Sequence, residues 1–165
     1  MIIGDKNRFA CQLGSIVSME PQYFDCFVLW CGGQFIGEPD NTDMLSMYAD
    51  SLLKAHKDRQ KFTPANDLYI DVDAFFSQGR EQLDEYYNFK VPQLPLFDLF
   101  ALYLFYDDGQ FHYLWRIRHE YSWVNAYVPS YPKENFLYSI PEDEFLAVAL
   151  EVREVINKIE SPRGR

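Results

Sequence analysis

The chain has 165 residues, 48% of them apolar and 24% charged, which is material for one buried core and excludes intrinsic disorder. A formal charge of −10 and a pI near 4.7 repel phosphate backbones and anionic lipid, so direct nucleic-acid and membrane binding are not expected. The same charge suits rapid capture of a basic partner. Aromatic residues make up 18% of the chain, with 14 Phe, 12 Tyr and 3 Trp. Buried Phe and Trp remove large areas from water. Twelve Tyr exceed what a core needs, which places some at the surface, where Tyr is a favoured contact residue.

From the N-terminus, Phe9 to Val17 alternates loosely and reaches a turn at Glu20-Pro21. Phe24 to Cys31 is a second strand-like run, closed by the turn glycines Gly32-Gly33, with a short strand at Gln34 to Gly37 and a stop at Pro39. Cys26 and Cys31 then fall on one strand roughly 17 Å apart, out of disulfide range, and reduced, packed thiols are expected. Asn41 or Thr42 is placed to cap a helix near 43–58, with Asp43 at its positive end. Leu45, Tyr48, Ala49, Leu52 and His56 recur there at helical spacing.

Leu68, Ile70 and Val72 alternate with Tyr69, Asp71 and Asp73, which predicts a strand. Phe75 to Tyr87 fits a helix, and residues 91–95 an extended linker. Leu99–Tyr106 and Phe111–Arg118 flank Asp107-Asp108-Gly109-Gln110, a strong hairpin signal. The first of these strands is apolar throughout and is expected to be central. Trp123–Val128 and Asn135–Ile140 extend the meander. Ser139, with Glu142 three residues on and Pro141 between, predicts the start of a final helix near 141–159. The order of elements predicts an α+β class with a mainly antiparallel sheet, as a single domain over 1–160 followed by a flexible tail, 161–165.

Acidic residues concentrate in the middle. Residues 62–114 hold nine acids against Arg80 and Lys90, while the flanking segments are near neutral. Within this segment Asp71, Asp73, Asp84, Glu85, Asp107 and Asp108 are the candidate partner-binding residues. Catalytic constellations are weak. Asp71-Val72-Asp73 resembles a metal-holding carboxylate pair, with a solvated strand face as the plainer alternative. His56, His112 and His119 show no zinc spacing, and Gly14-Ser15 lacks the second glycine of a nucleophile turn. No catalytic residue, metal or cofactor is expected.

The opening, Met1-Ile2-Ile3-Gly4-Asp5-Lys6-Asn7-Arg8-Phe9-Ala10, resembles the start of the Immunity protein 42 family of bacterial polymorphic-toxin and contact-dependent inhibition systems. The similarity continues through Trp30, Gly32, Gly33, Phe35, Ile36 and Gly37 to Trp115 and Trp123. It implies an α+β fold, no enzymatic activity and tight binding to a toxin C-terminal domain encoded nearby. Gly4, Asp5, Phe9, Trp30, Gly37 and Trp123 match the family pattern as structural residues. No signal peptide is visible and no apolar run reaches membrane-span length, so a cytoplasmic location is expected. The alternatives are an acidic adaptor or DNA mimic that blocks another basic protein, and a small metal-dependent hydrolase or transferase built on Asp71, Asp73 and His112 or His119.

Overall fold

A computed structural model describes residues 1–14, 17–19, 22–38, 43–86 and 99–161. The expected turn at Glu20-Pro21, the caps at Asn41 or Thr42, the stop at Pro39, the 91–95 linker, Tyr87 and residues 162–165 of the tail lie outside them. The described residues form three antiparallel sheets and five α-helices, which is the α+β class.

The N-terminal sheet has the order β1-β2-β5-β6, from β1 (Ile2–Gly4), β2 (Phe9–Leu13), β5 (Phe27–Cys31) and β6 (Gln34–Ile36). Three short strands, β3 (Val17–Met19), β4 (Gln22–Asp25) and β7 (Asp43–Met44), form a second sheet in the order β3-β4-β7. The expected single strand over 24–31 is therefore two. Phe24 and Asp25 pair with β7, whereas Phe27 pairs with Leu13 of β2, so the chain changes sheet at Cys26. The three cysteines are free, and burial pushes the Cys11 and Cys31 thiols well above their ordinary range.

Helix α1 (Leu45–Lys57) buries Leu45, Tyr48, Ala49 and Leu52 as its periodicity predicts, with Ala55 in place of the expected His56, which is partly exposed and turns to Glu142. Its start is later than expected. Asp43 belongs to β7, and Met44 precedes the helix without a side-chain cap.

The strand expected over 68–73 is replaced by a 3-10 helix (Asp67–Ile70) followed by α2 (Val72–Ser77) and α3 (Arg80–Glu85). The cause is local polar capping. The Asn66 side chain accepts from the Leu68 amide at 3.0 Å, and the Asp71 carboxylate accepts from the Ala74 amide at 3.0 Å. These bonds offer the backbone helical turns in place of a ladder.

The C-terminal sheet has the order β10-β9-β8, from β8 (Phe100–Asp107), β9 (Gln110–Ile117) and β10 (Asn135–Pro141). Asp108 and Gly109 adopt φ of 46° and 71°, as a two-residue type I′ turn demands. Among the described residues β8 stands at the end of this sheet, and β9 is central. β8 is apolar throughout because both of its faces are covered. Phe100, Leu102, Leu104 and Tyr106 join the main core, while Tyr103 and Phe105 join a second, smaller one. The segment expected as a strand over 123–128 is helix α4 (Ser122–Tyr127).

Helix α5 (Glu142–Glu160) follows β10 directly, without the expected Ser139 cap. Ser139 is a strand residue, and its hydroxyl meets His112 Nδ1 at 2.8 Å. The first turn carries Glu142, Asp143 and Glu144, where the helix dipole favours negative charge. Phe145, Val148, Ala149, Val152 and Ile156 face inward. The main core lies between the N-terminal sheet, α1, α5 and one face of the C-terminal sheet; Phe145 stacks on Phe9 at 5.3 Å and on Phe111 at 4.1 Å. The second core, Tyr69, Phe75, Phe76, Tyr103, Phe105 and Leu114, fills the other face beneath the 3-10 helix and α2.

Candidate partner-binding surfaces

The 3-10 helix and α2 run along the C-terminal sheet from its hairpin turn toward its open end. At the turn, the Tyr69 hydroxyl donates to Asp107 Oδ2 at 3.0 Å, and Asp107 Oδ1 accepts from the Asp108 amide at 3.0 Å. Burial, then the Asp107 carboxylate, push the Tyr69 hydroxyl up to about 12, and the charges of Asp67 and Asp108 add to the effect. Asp67 therefore lies with Asp107 and Asp108 in one acidic field. At the other end, Asn135 Nδ2 donates to Asp73 Oδ1 at 2.8 Å. Asn135 pairs with Arg116, and Asp107 with Gln110. The six-residue separation along β9 spaces these ends by about 20 Å.

The acidic residues thus form a ridge instead of a cluster. Asp107 and Asp108 stand at one end with Asp67, while Asp71 and Asp73 stand toward the other. Asp84 and Glu85 belong to α3, where Glu85 is exposed. Ile70, between Tyr69 and Asp71, is 57% exposed. It is a large apolar side chain set among carboxylates. The strand reading points Ile70 to the same side as Leu68 and Val72; helical geometry instead turns Tyr69 inward and Ile70 out.

Asp71 and Asp73 do not share a strand face. Asp71 is committed to capping α2 and Asp73 to Asn135. Among the described residues no group of three or more His, Cys, Asp or Glu side chains is arranged to hold a metal ion. His112 is half-buried between the Ser139 hydroxyl and the Asp107 carbonyl, and burial lowers its pKa. His119 Nδ1 lies 3.3 Å from the Ile117 carbonyl. These contacts fix strand and turn geometry.

The residues of the opening pattern occupy structural positions. Gly4 has φ of 92°, and a Cβ there would fall 2.4 Å from the Phe9 carbonyl oxygen. Asp5 Oδ1 accepts from the Asn7 amide at 2.9 Å, and Phe9 is fully buried. Trp30 donates to Gln12 Oε1 at 3.0 Å and carries the Lys6 ammonium 4.0 Å over its ring, while Gly37 has φ of 134°. Trp123 differs from these. It is 48% exposed and stacks on Tyr121, itself 49% exposed, with Tyr127 at 61% on the same short helix. Tyr121, Tyr127 and Ile70 carry no motif that marks them in the sequence; only the general surplus of Tyr points to surface aromatics.

A polar knot holds the start of α5. Glu142 Oε1 pairs as an ion with Arg59 Nε at 2.9 Å and lies 3.0 Å from His56 Nε2, and Glu142 Oε2 accepts from the Tyr106 hydroxyl. The Tyr106 hydrogen bond, then the Arg59 and His56 charges, hold the Glu142 carboxyl below the usual carboxylate range despite partial burial. Three stretches of chain, around His56 and Arg59, Tyr106 and Glu142, meet on this one carboxylate. Among the described residues no helix is long and apolar enough to cross a membrane.

The fold is similar to that in the crystal structure of CdiI from Burkholderia dolosa AUO158, with a TM-score of 0.55 and 18% identity over 96% of this chain and 99% of that one. No curated protein matches the chain. The family model described as Immunity protein 42 matches residues 1–160, nearly the whole length and both cores. The chain belongs to the Immunity protein 42 family, whose members bind and neutralise a toxin.

Proposed function

We propose that this immunity protein acts without catalysis, in the cytoplasm, by occluding the C-terminal domain of a toxin encoded beside it, and that the acidic ridge is the surface that meets it. The family match over residues 1–160 carries the reading of a toxin partner. The ridge supports the mode of binding. Asp67, Asp71 and Asp73 line the covering layer, Asp107 and Asp108 stand at the hairpin turn beside it, and Ile70 supplies an apolar contact among them. Such a surface is complementary to the basic groove of a nuclease, the toxin class that must itself hold phosphates. The similarity to a structure named CdiI is consistent with a role in contact-dependent inhibition.

Co-expression with the toxin domain tests this directly, together with binding measured at low and high salt. Growth rescue with tight, salt-sensitive binding is expected. Tight binding that ignores salt removes the acidic ridge from the mechanism while leaving toxin neutralisation. Stoichiometric metal in the purified protein, or turnover of a toxin substrate or product, overturns the non-catalytic reading.

A further inference from the structure

We infer that α4 carries the aromatic anchor of the complex, with Trp123, flanked by Tyr121 and Tyr127, seated in an apolar pocket on the basic toxin surface. The inference rests on the reading of the acidic ridge as the toxin-facing side. Three large aromatic side chains within seven residues remain half-exposed or more, although α4 buries Val124 completely in the main core. The helix is therefore anchored by one residue and presents the others outward. Tyr121 and Trp123 stack with ring centroids 6.2 Å apart, which orders the surface before any partner arrives. Clustered exposed Trp and Tyr mark protein contact sites, because they remove large areas from water with few rotatable bonds to freeze.

Position and charge select the occupant. α4 connects β9 to β10 at the open end of the C-terminal sheet, and Asn135, the first residue of β10, holds Asp73 of the ridge. Among the described residues, the exposed charges at this end are Glu120, Glu134, Asp71 and Asp73 against Lys133; Arg116 and Arg118 are half-buried, and Arg116 lies 5.2 Å over the Phe76 ring. The described exposed charges at this end of the sheet are thus mainly acidic, which fits a basic partner better than a second copy of this acidic chain. A charged ridge accelerates encounter, whereas desolvated aromatic anchors slow dissociation. Each surface supplies what the other lacks.

Surface plasmon resonance of the full chain on an immobilised, inactivated toxin domain separates the two. Trp123→Ala is expected to raise the dissociation rate about thirtyfold, the effect of a hot-spot residue, with the salt dependence of association unchanged. Tyr127→Ser, at a more exposed position, provides a second variant whose folding is not at stake, and Trp123→Phe should recover part of the loss. Dissociation rates within twofold of the parent for both Trp123→Ala and Tyr127→Ser, at unchanged thermal midpoints, overturn the inference and leave the ridge standing. A loss of dimer on Trp123→Ala with unchanged toxin affinity assigns the helix to a second copy and likewise overturns it. A parent protein that does not bind the toxin overturns both readings together.

Discussion

Glu142 joins segments distant in sequence through one side chain. Its carboxylate accepts from Tyr106, pairs as an ion with Arg59 and faces His56, and the side chain is 28% exposed. Because the folded pKa lies below the ordinary glutamate value, the ionised form is favoured by folding. Its contribution is present at neutral pH and is lost as pH falls through the folded value. Glu142→Gln should lower stability by about 1–2 kcal/mol at pH 7, at the lower end for hydrogen bonds to a charged group because solvent screens the site. Urea denaturation across pH checks this, and the difference between variant and parent should shrink below about pH 4, where the parent carboxyl is protonated. Glycines give a second residue-scale test. Gly109 has φ of 71° and open space around a built Cβ, whereas a Cβ at Gly4 would strike the Phe9 carbonyl. Gly109→Ala should cost about 1 kcal/mol of backbone strain alone. Gly4→Ala should cost more, and equal denaturation midpoints for the two variants would contradict this account.

Packing of α5 against both large sheets makes it the element on which the fold depends. Phe145 is fully buried and stacks on Phe9 of the N-terminal sheet and on Phe111 of the C-terminal one. Phe145→Ala opens a void between two sheets that cannot collapse independently, so a loss of about 3–5 kcal/mol is expected from chemical denaturation. Phe136, partly buried on the edge strand β10, stacks on Trp115 at 5.0 Å. Its truncation should cost less, because solvent already reaches one side. The 3-10 helix and α2 form a different kind of element. They cover a second, smaller core with Tyr69, Phe75 and Phe76 while turning Ile70 and the acidic side chains outward. Asp71→Ala should loosen this layer by about 1 kcal/mol through loss of the cap on Ala74, measurable as faster amide exchange there.

At the scale of the whole molecule, the charge of −10 matters through where it lies. Replacing Asp67, Asp71, Asp73 and Asp108 together by Asn keeps the amide-accepting oxygen at Asp71 and removes four charges from the ridge. Association with a basic toxin domain should slow about tenfold at low salt, and the gap should close at high salt as screening erases the long-range field. Stopped-flow association at two ionic strengths is the measurement, and identical rates at low salt would place the contact elsewhere.

Composition alone determined an aromatic-rich interior and an excess of surface acid, because burial and net charge are sums over residues and do not depend on their order; that the interior is two cores was not in it. Local patterns determined α1, α5 and the Asp108-Gly109 hairpin, since helical period and left-handed turn residues act within a few positions of one another. The family resemblance was legible in the first ten residues, where Gly4, Asp5 and Phe9 meet backbone and core constraints that tolerate few substitutes. Tertiary structure decided the rest. Alternation over 68–73 reads as a strand, but two side-chain caps and an available sheet face made it helical. The apolar run of β8 reads as central, but a strand at the end of the described sheet, covered by different cores on its two faces, has the same composition. The break at Cys26, the exposure of Ile70 and the outward turn of Tyr121, Trp123 and Tyr127 depend on which layers pack around each segment. A residue's own neighbours in sequence carry no record of that packing, so the surfaces offered to a partner became visible only in the folded chain.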